Sequence, residues 1–596
     1  MHNSLLIFPI ILYIKNKKVY SLINNNYPSN LMEDLSLFEN KPIKSINGIP
    51  PFEYIQNFND RFLKFKSPQA QFVFNLIEIN NPFSLANLPL DYSNLTNIKI
   101  VYDDDISKTF DYRVEFRSNL ALKIYYFLHK FEHFFYEDLN IFDFEWDLTL
   151  EDGKIKCLVD NENKVNVIYQ NSFLVSDLEE GEKFFDQCFS NFDNNNYPII
   201  IIESFNSGGY GSLADYLISY INLNKTSTVY ESYRYNEEIE KYVAPLYSVK
   251  TIQTCEYENY TYLFNSSYIE DNYGFNSNGE KIKHKRTKIF DSSEVNENFF
   301  YSVRKKAKHI KKPNEIIIYT DGYSYSATSD LIKRTQLKGG AIIVGYDGNP
   351  FLNTFDASQS PSAVQHTFSK YSKEMEDSLS LEIESLGFSL TYTIAESFPE
   401  LDNENENKSN IPLEYQIHEI DERVNIFNGY DDSKYQNFID EAKKIFKKYE
   451  TKCNPKNKYL LLIDEKCNFL GPHLHGGFPC DENGYWNKKL CVPSYCDVGY
   501  VYDKKKNKCI KDVCFKKKEF NKFYYNRDDD EIENVSNLTK IFIGLFVIFQ
   551  IIFLIIMFTK AFKKNKKIFI IIILALEFVL IIVSHILYHF ELKEII

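Results

Sequence analysis

Two apolar runs near the C-terminus constrain this chain most, because each is about as long as a lipid bilayer is thick. They cover residues 541–559 and 568–588, and roughly 20 apolar residues in a helix span the hydrocarbon core. The loop between them, residues 560–567, contains five lysines. The positive-inside rule puts such a loop in the cytoplasm. The sequence therefore predicts a multi-pass membrane protein with two spans, whose preceding residues form a lumenal or extracellular ectodomain anchored in the lipid bilayer.

Glycosylation signals agree with that orientation. Sequons of the Asn-x-Ser/Thr type are modified only in a lumenal compartment. Seven asparagines begin such sequons: Asn94, Asn224, Asn259, Asn265, Asn407, Asn534 and Asn537.

Cysteine usage also indicates an oxidising compartment. Seven of the ten cysteines lie in one short segment: Cys453, Cys467, Cys480, Cys491, Cys496, Cys509 and Cys514. A cluster this dense is typical of a small disulfide module. A zinc site is the competing interpretation, but the segment has no tight pair of Cys-x-x-Cys elements, and we predict no metal. Because seven is odd, we expect three bridges inside the module, one from it to the main body and one within the main body.

Charge and length narrow the class of protein further. The formal net charge is −14, whereas phosphate binding requires clustered Lys and Arg, so nucleic acid is excluded as a partner. A chain of 596 residues is too long for a single hydrophobic core. We expect an N-terminal α+β region (1–190) and an α/β core (191–432) with a surface excursion (230–299). A connecting helix (433–450), a cysteine-rich module (451–515), a stalk (516–540) and the two spans (541–559 and 568–588) follow.

The N-terminus does not have the pattern of a secretory leader. Residues 4–14 are apolar, but no positive residue precedes them and no small-residue cleavage site follows. We therefore interpret them as a buried strand. Either the first membrane span directs insertion, or the natural chain begins further upstream.

The middle of the chain repeats a strand, a turn and a helix. One unit begins with the apolar run 198–202, and a second begins with 315–319 and ends before a third apolar run at 341–345. Apolar strands that alternate with helices predict a sheet covered on both faces. The segment 230–299 between the units is polar, and we predict an irregular excursion there.

Ser326 lies where the second of these strands ends and its helix begins. The amides at a helix start point outward and the helix dipole favours negative charge there. A serine nucleophile whose reaction generates an oxyanion needs such a position. The alternative is an ordinary helix cap, which serine commonly provides. The pair Gly208-Gly209 in the first unit has a simple alternative as well, a tight turn with positive φ.

Taken together, the two turns resemble those of the tail-specific, or C-terminal-processing, serine proteases. That family has an apolar strand ending in an Asn-Gly-Gly turn and a Ser-Ala-Ser-Glu nucleophile turn. The matching residues here are Asn206-Ser207-Gly208-Gly209 and Ser326-Ala327-Thr328-Ser329, within a resemblance that covers about residues 198 to 400. It implies a crotonase/ClpP-like core of ββα units, with Ser326 as nucleophile. It also implies an oxyanion hole made by the amide of Ala327 and an amide of the Gly208-Gly209 turn.

The chain departs from the family pattern at the catalytic base. Members with a lysine base carry it about 25 residues after the serine, where this chain has Phe351. Ser329 replaces the usual glutamate of the turn. Another branch uses a histidine from early in the chain and a glutamate downstream of the serine. The matching residues are His2 and Glu384, with Glu382 as a second choice; His129, His133 and His366 are weaker candidates for the base.

These residues predict a membrane-anchored serine-type peptidase, of an α/β fold with a disulfide module and a transmembrane hairpin. Its partners would be protein or peptide substrates and the bilayer, and no cofactor is expected. The alternative is an inactive pseudoprotease that binds peptides or lipids. A third interpretation, an adhesion protein or receptor built around the cysteine module, leaves the two turns unexplained.

Overall fold

The computed structural model describes most of the chain up to residue 512. The described residues are 3–7, 10–23, 35–58, 65–80, 83–84, 97–111, 113–117, 146–150, 153–223, 230–235, 248–250, 257–259, 269–275, 280–291, 300, 303–304, 306–309, 311–360, 365–367, 391–393, 395–398, 412–426, 434–503 and 506–512. The chain divides into two compact units, Met1–Cys514 and Phe515–Ile596, and every described residue lies in the first.

Two antiparallel sheets and two helices form the N-terminal part. Strand β1 (Asn3–Ile7) lies between β5 (Phe83–Ser84) and β8 (Arg113–Arg117). A five-stranded sheet contains, in this order, β2 (Ile10–Lys15), β3 (Lys18–Ile23), β4 (Lys41–Ile46), β6 (Asn97–Tyr102) and β7 (Ser107–Asp111). Helices α1 (Pro51–Asn57) and α2 (Pro68–Asn80) share its core, to which they contribute Ile55, Phe72, Leu76 and Ile79.

A seven-stranded sheet forms the centre of the first unit. Its order is β24-β20-β19-β12-β11-β10-β9. The strands are β9 (Leu148–Thr149), β10 (Ile155–Asp160), β11 (Val165–Gln170), β12 (Ile199–Glu203), β19 (Ile316–Thr320), β20 (Ile342–Gly345) and β24 (Glu422–Arg423). The five strands from β11 to β24 are parallel, whereas β9 and β10 are antiparallel to their neighbours.

Both faces of this sheet are buried, which explains the continuous apolar runs. Ile199 and Ile201 point into one hydrophobic core, and Ile200 and Ile202 point into the other. The first core also contains residues of α3 (Leu178–Phe192), α4 (Gly211–Ile221) and α5 (Ala327–Leu337). The second contains residues of α6 (Lys434–Tyr449) and of the cysteine-rich segment. A parallel sheet with two apolar faces requires such cover, and the predicted α/β class is confirmed.

The predicted excursion is more regular than its polar composition suggests. Its described residues include β13 (Tyr230–Tyr235), β14 (Ser248–Lys250), β15 (Tyr257–Asn259), β16 (Ile269–Phe275), β17 (Lys281–Thr287) and β18 (Phe290–Asp291). Strand β13 pairs with β17, β18 and the later strand β23 (Ala395–Phe398), and β14 pairs with β15. Strands β21 (Gln365–Thr367) and β22 (Thr391–Thr393) form a further pair. The expectation of irregular structure was wrong for these residues, because cross-strand pairing depends on partners that a local pattern does not reveal.

The cysteine-rich segment contains two small antiparallel sheets and three disulfides. The sheets consist of β25 (Leu462–Ile463), β26 (Leu474–Phe478) and β27 (Val492–Cys496), and of β28 (Tyr500–Asp503) with β29 (Lys508–Lys511). The bridges are Cys453–Cys480, Cys467–Cys491 and Cys496–Cys509. A fourth, Cys157–Cys188, joins β10 to α3. The predicted module and the bridge within the main body are thus confirmed; Cys255 and Cys514 lie outside the described residues.

In the part of the chain that the structure describes, no helix is long and apolar enough to cross a membrane. Both predicted spans, residues 541–559 and 568–588, lie outside that part, as does the stalk before them.

Candidate active site

Ser326 occupies a sharp turn between β19 and α5. Its backbone has φ 55° and ψ −128°, a conformation that is costly for any residue with a side chain and is concentrated at functional sites. The turn is secured by the Ser326 amide, which donates to the carbonyl of Ser360 at 2.8 Å. Although Ser326 stands at the cap position, its side chain makes no capping hydrogen bond. The simple cap interpretation therefore fails, and the hydroxyl is available for chemistry at a position that is 8% exposed.

The glycine turn lies directly against the serine turn. Gly208 has φ 98°, and a Cβ there would lie 2.6 Å from the Cβ of Ser326 and 3.0 Å from the amide nitrogen of Ala327. The Tyr325 amide donates to the Asn206 carbonyl at 3.1 Å and so joins the two turns. A Cβ at Gly209, which has φ 138°, would meet the backbone of Phe173 and Leu174 even more closely. Both glycines are thus required by close approach as well as by φ.

The amides of these turns differ in what they can bind. The Gly208 amide donates to Asn206 Oδ1 at 2.9 Å, so it is already occupied. Within the described residues, the amides of Gly209 and Ala327 donate to no acceptor. Of the three amides proposed from the sequence for an oxyanion hole, the geometry leaves these two. Ala327 also begins α5, whose dipole favours negative charge at this point.

A buried polar network, which no pattern in the sequence revealed, supports the glycine turn. Glu203 Oε2 accepts from Asn206 Nδ2 at 2.9 Å, and Glu203 Oε1 accepts from Gln170 Nε2 at 2.5 Å. Burial raises the pKa of Glu203 well above its ordinary value. Asn206 therefore connects Glu203 to the Gly208 amide.

Asp321 joins the start of the glycine turn to that of the serine turn. Its carboxylate accepts from the Phe205 amide at 2.6 Å and from the Tyr323 amide at 2.9 Å. Glu203 is the last residue of β12, and Asp321 directly follows β19, the neighbouring parallel strand. Carboxyl ends of parallel strands meet at one edge of a sheet, and this placement is the signal by which the two acids could have been found.

No base contacts the serine in the described structure: the Ser326 hydroxyl has no histidine or lysine nitrogen within hydrogen-bonding distance. His2, Glu384, Glu382, His129 and His133 all lie outside the described residues. His366 belongs to β21, opposite Tyr392.

The two positions that depart from the family pattern have structural functions here. Phe351 is 63% exposed and its ring packs edge-on against Phe52, at 5.0 Å between centroids. Ser329 is buried, and its hydroxyl donates to the Gln359 carbonyl at 2.8 Å. Neither residue supplies a proton acceptor to Ser326.

A second group of ionisable residues lies around Lys333, which is further along α5. Lys333 is fully buried and its amine has no hydrogen-bond partner in the described structure. Burial, assisted by the charge of Lys66 and opposed by that of Asp356, lowers the pKa of Lys333 to about 7. Lys66 itself forms an ion pair with Asp356 at 2.6 Å. Burial and these lysines lower the pKa of His418 to about 3, so this imidazole is neutral.

The other predicted modification sites fall mostly outside the described residues. Asn259 is the last residue of β15 and pairs with Ser248. Asn94, Asn224, Asn265, Asn407, Asn534 and Asn537 are not among the described residues, and their glycosylation stays a prediction.

Comparisons with known proteins find similarity in structure only. No family model matches the chain, and no curated protein does either. Among solved structures, mature CPAF is 12% identical over 75% of this chain and 82% of its own, with a TM-score of 0.40. A Bacteroides fragilis protein named as an S41 protease is 10% identical over 75% of this chain and 86% of its own, with a TM-score of 0.27. The photosystem II D1 C-terminal processing protease is 7% identical over 71% and 72%, with a TM-score of 0.23. These structural neighbours are members of the tail-specific protease family, which the two turns also resemble.

Proposed function

We propose that this chain is a membrane-anchored serine-type peptidase of the tail-specific kind, which cleaves exposed or unfolded segments of proteins. One observation carries the proposal: an uncapped serine stands in a strained turn that meets the glycine turn, and within the described residues the amides of Gly209 and Ala327 donate to no acceptor. Hydrolysis of a peptide bond by serine needs a nucleophile with donors preorganised for an oxyanion, and this arrangement supplies both. The fold that we propose around it is a crotonase/ClpP-like core of ββα units.

The proposed reaction begins when Ser326 Oγ attacks the carbonyl carbon of the scissile bond. His2, oriented by Glu384, takes the hydroxyl proton, and the carbonyl oxygen becomes an oxyanion stabilised by the two amides. The proton then passes to the leaving nitrogen as the C–N bond breaks, and an ester on Ser326 remains. Water hydrolyses this ester, which restores the serine and releases the new C-terminus.

The proposed location is the lumenal or extracellular side of a membrane. The apolar runs at 541–559 and 568–588, with five lysines between them, support the anchor. Four disulfides among the described residues support an oxidising compartment.

A pseudoprotease that binds peptides without cleaving them is the second candidate function. It is supported by Ser329, which stands where the family has a glutamate, and by Phe351, which stands where members with a lysine base carry the lysine. In this alternative the two turns bind a peptide carbonyl and the reaction does not proceed.

Labelling of the full-length protein with a fluorophosphonate probe separates the two candidates. The probe reacts only with an activated serine, so we expect labelling of the wild type and none of Ser326→Ala. Ser207→Ala, which removes an exposed serine from the opposing turn, is the matched control and should label normally. A folded wild-type protein that does not label would contradict the peptidase proposal and favour the pseudoprotease. The His2→Ala variant tests the base, and labelling at the wild-type rate would exclude it.

A further inference from the structure

Four aromatic side chains form a cluster of ring contacts that includes a residue from each turn of the candidate active site. We call this group the aromatic wall, and it consists of Phe65, Phe74, Phe205 and Tyr323. The rings of Phe205 and Tyr323 stack with centroids 3.9 Å apart and planes at 12°. Phe205 precedes Gly208 by three residues, and Tyr323 precedes Ser326 by three residues. The two rings therefore belong to the glycine turn and the serine turn. Both are only partly buried.

The other half of the wall comes from the N-terminal part of the chain. Phe74, on α2, stacks on Tyr323 at 6.0 Å between centroids, and Phe65 contacts Tyr323 edge-on at 5.7 Å. Two hydrogen bonds tie α2 to the loop after β20: Gln69 Nε2 donates to the Asn349 carbonyl at 3.1 Å, and the Asn349 amide donates to Gln69 Oε1 at 2.7 Å. The wall therefore joins the two turns to α2, whose position these hydrogen bonds fix.

A carboxylate without a partner accompanies these rings. Glu78 lies four residues after Phe74, on the same face of α2. Within the described part of the chain it accepts no hydrogen bond and forms no ion pair, and desolvation raises its pKa above the ordinary value. Phe74 contacts Tyr323, so the helix spacing places Glu78 on the side of α2 that carries the wall. Burial, together with the carboxylates of Asp321 and Glu78, raises the pKa of Tyr323 to about 12. An unpaired charge that has lost part of its water is unfavourable, and a cation would relieve that cost.

We propose that Glu78 and the aromatic wall form a subsite for a lysine or arginine side chain of the peptide that binds at Ser326. The proposal rests on the proposed function insofar as it requires a peptide in the site. The apolar stem of such a side chain would pack on the rings, whose faces also attract cations. Its charged end would pair with Glu78. An apolar side chain would leave Glu78 unpaired, and an acidic one would be repelled by it and by a chain of net charge −14.

Peptide binding to the inactive Ser326→Ala protein tests the subsite without depending on turnover. The probes are three fluorescein-labelled ten-residue peptides of Gly, Ser and Ala that differ at one central position, which is Lys, Gln or Glu. We expect the Lys peptide to bind roughly tenfold more tightly than the Gln peptide, the size of one charge-assisted contact, and the Glu peptide to bind most weakly. Adding Glu78→Gln should abolish this order.

Matched variants guard against indirect effects. Glu53→Gln removes a carboxylate from the exposed face of α1 and should preserve the tenfold preference. Phe74→Leu keeps an apolar side chain but removes a ring face, and it should reduce the preference even if Glu78→Gln fails to fold. Equal binding of the three peptides to the Ser326→Ala protein would overturn the proposal, as would a Lys preference that survives in folded Glu78→Gln.

Fluorophosphonate labelling separates failure of the subsite from failure of the proposed function. A protein that labels at Ser326 but has no Lys preference is a peptidase without this subsite. A protein that has a Glu78-dependent Lys preference but does not label has the subsite and binds peptides without cleaving them.

Discussion

A Cβ at residue 208 would lie 2.6 Å from the Cβ of Ser326, so the glycine turn and the serine turn can meet only because position 208 has no side chain. The contact places position 208 beside the Ala327 amide as well, and within the described residues neither this amide nor that of Gly209 donates to an acceptor. The geometry of the candidate oxyanion hole therefore depends on a residue that contributes no chemical group of its own.

Replacement of Gly208 by alanine should disrupt the site. The new methyl group would collide with Ser326 and take up a strained φ of 98°, so we expect fluorophosphonate labelling to slow by about 100-fold or more, as on loss of an oxyanion donor. We also expect the free energy of unfolding to fall by about 1–3 kcal/mol. Gly211→Ala is the control, because a Cβ at Gly211 meets no atom within 4 Å. Equal labelling rates for the two variants would show that the contact with Ser326 is unimportant.

Asn206 should act as a positioning residue. In Asn206→Ala the buried Gly208 amide loses its acceptor and Glu203 loses a donor, which should lower the free energy of unfolding by about 1–3 kcal/mol. The freed turn should also slow labelling more than tenfold. Gln170→Ala removes the other donor to Glu203 without contacting the turn, so it should lower stability and leave the labelling rate nearly unchanged. A parallel loss of labelling in both variants would instead indicate general destabilisation.

Lys333 should make stability depend on pH above neutrality. Its folded-state pKa is about 7, whereas the ordinary value is 10.5, so between these pH values the unfolded chain binds more protons than the folded one. The free energy of unfolding therefore rises with pH between these two values, and it decreases again as the pH falls toward the lower one. Lys333→Met should stabilise the protein at pH 7 by about 1–4 kcal/mol, the range for replacing buried charge with an apolar side chain.

Chemical denaturation at pH 7 and pH 9.5 measures this effect. The advantage of Lys333→Met over wild type should shrink at the higher pH. Lys447→Met, at an exposed position of α6, should show no such change. An advantage that stays constant across the two pH values would mean that Lys333 does not titrate as proposed.

The disulfide between Cys157 and Cys188 should stabilise the packing of α3 on the central sheet. It closes a segment with a sequence separation of 31 residues, and its removal in the double variant Cys157→Ala/Cys188→Ala should cost about 2–4 kcal/mol. The pair Cys496–Cys509 has a separation of only 13 residues, so the corresponding double variant should lose less stability because the closed loop is shorter. The denaturation midpoints of both variants test this order, and a smaller loss for the longer loop would contradict it.

The amino-acid sequence by itself determined the features that depend on local pattern. Runs such as 198–202 predict strands buried on two faces, and β12 at Ile199–Glu203 is such a strand because alternate isoleucines enter different cores. The position of Ser326 between a strand and a helix is local in the same way. The dense cysteines of the segment after residue 450 likewise predicted a disulfide module, since nearby cysteines in a small segment have few other partners.

Only the tertiary structure decided how distant residues meet. The Gly208 amide is occupied because the Asn206 side chain accepts from it, whereas the Gly209 amide donates to no acceptor within the described residues. That Phe74 and Glu78 accompany Tyr323 follows from the docking of α2 through Gln69, some 280 positions before its partner Asn349. Such contacts result from the packing of whole elements, and no local periodicity encodes them. The strand and the serine were therefore visible in the sequence, whereas the surroundings that would make this serine reactive and selective were not.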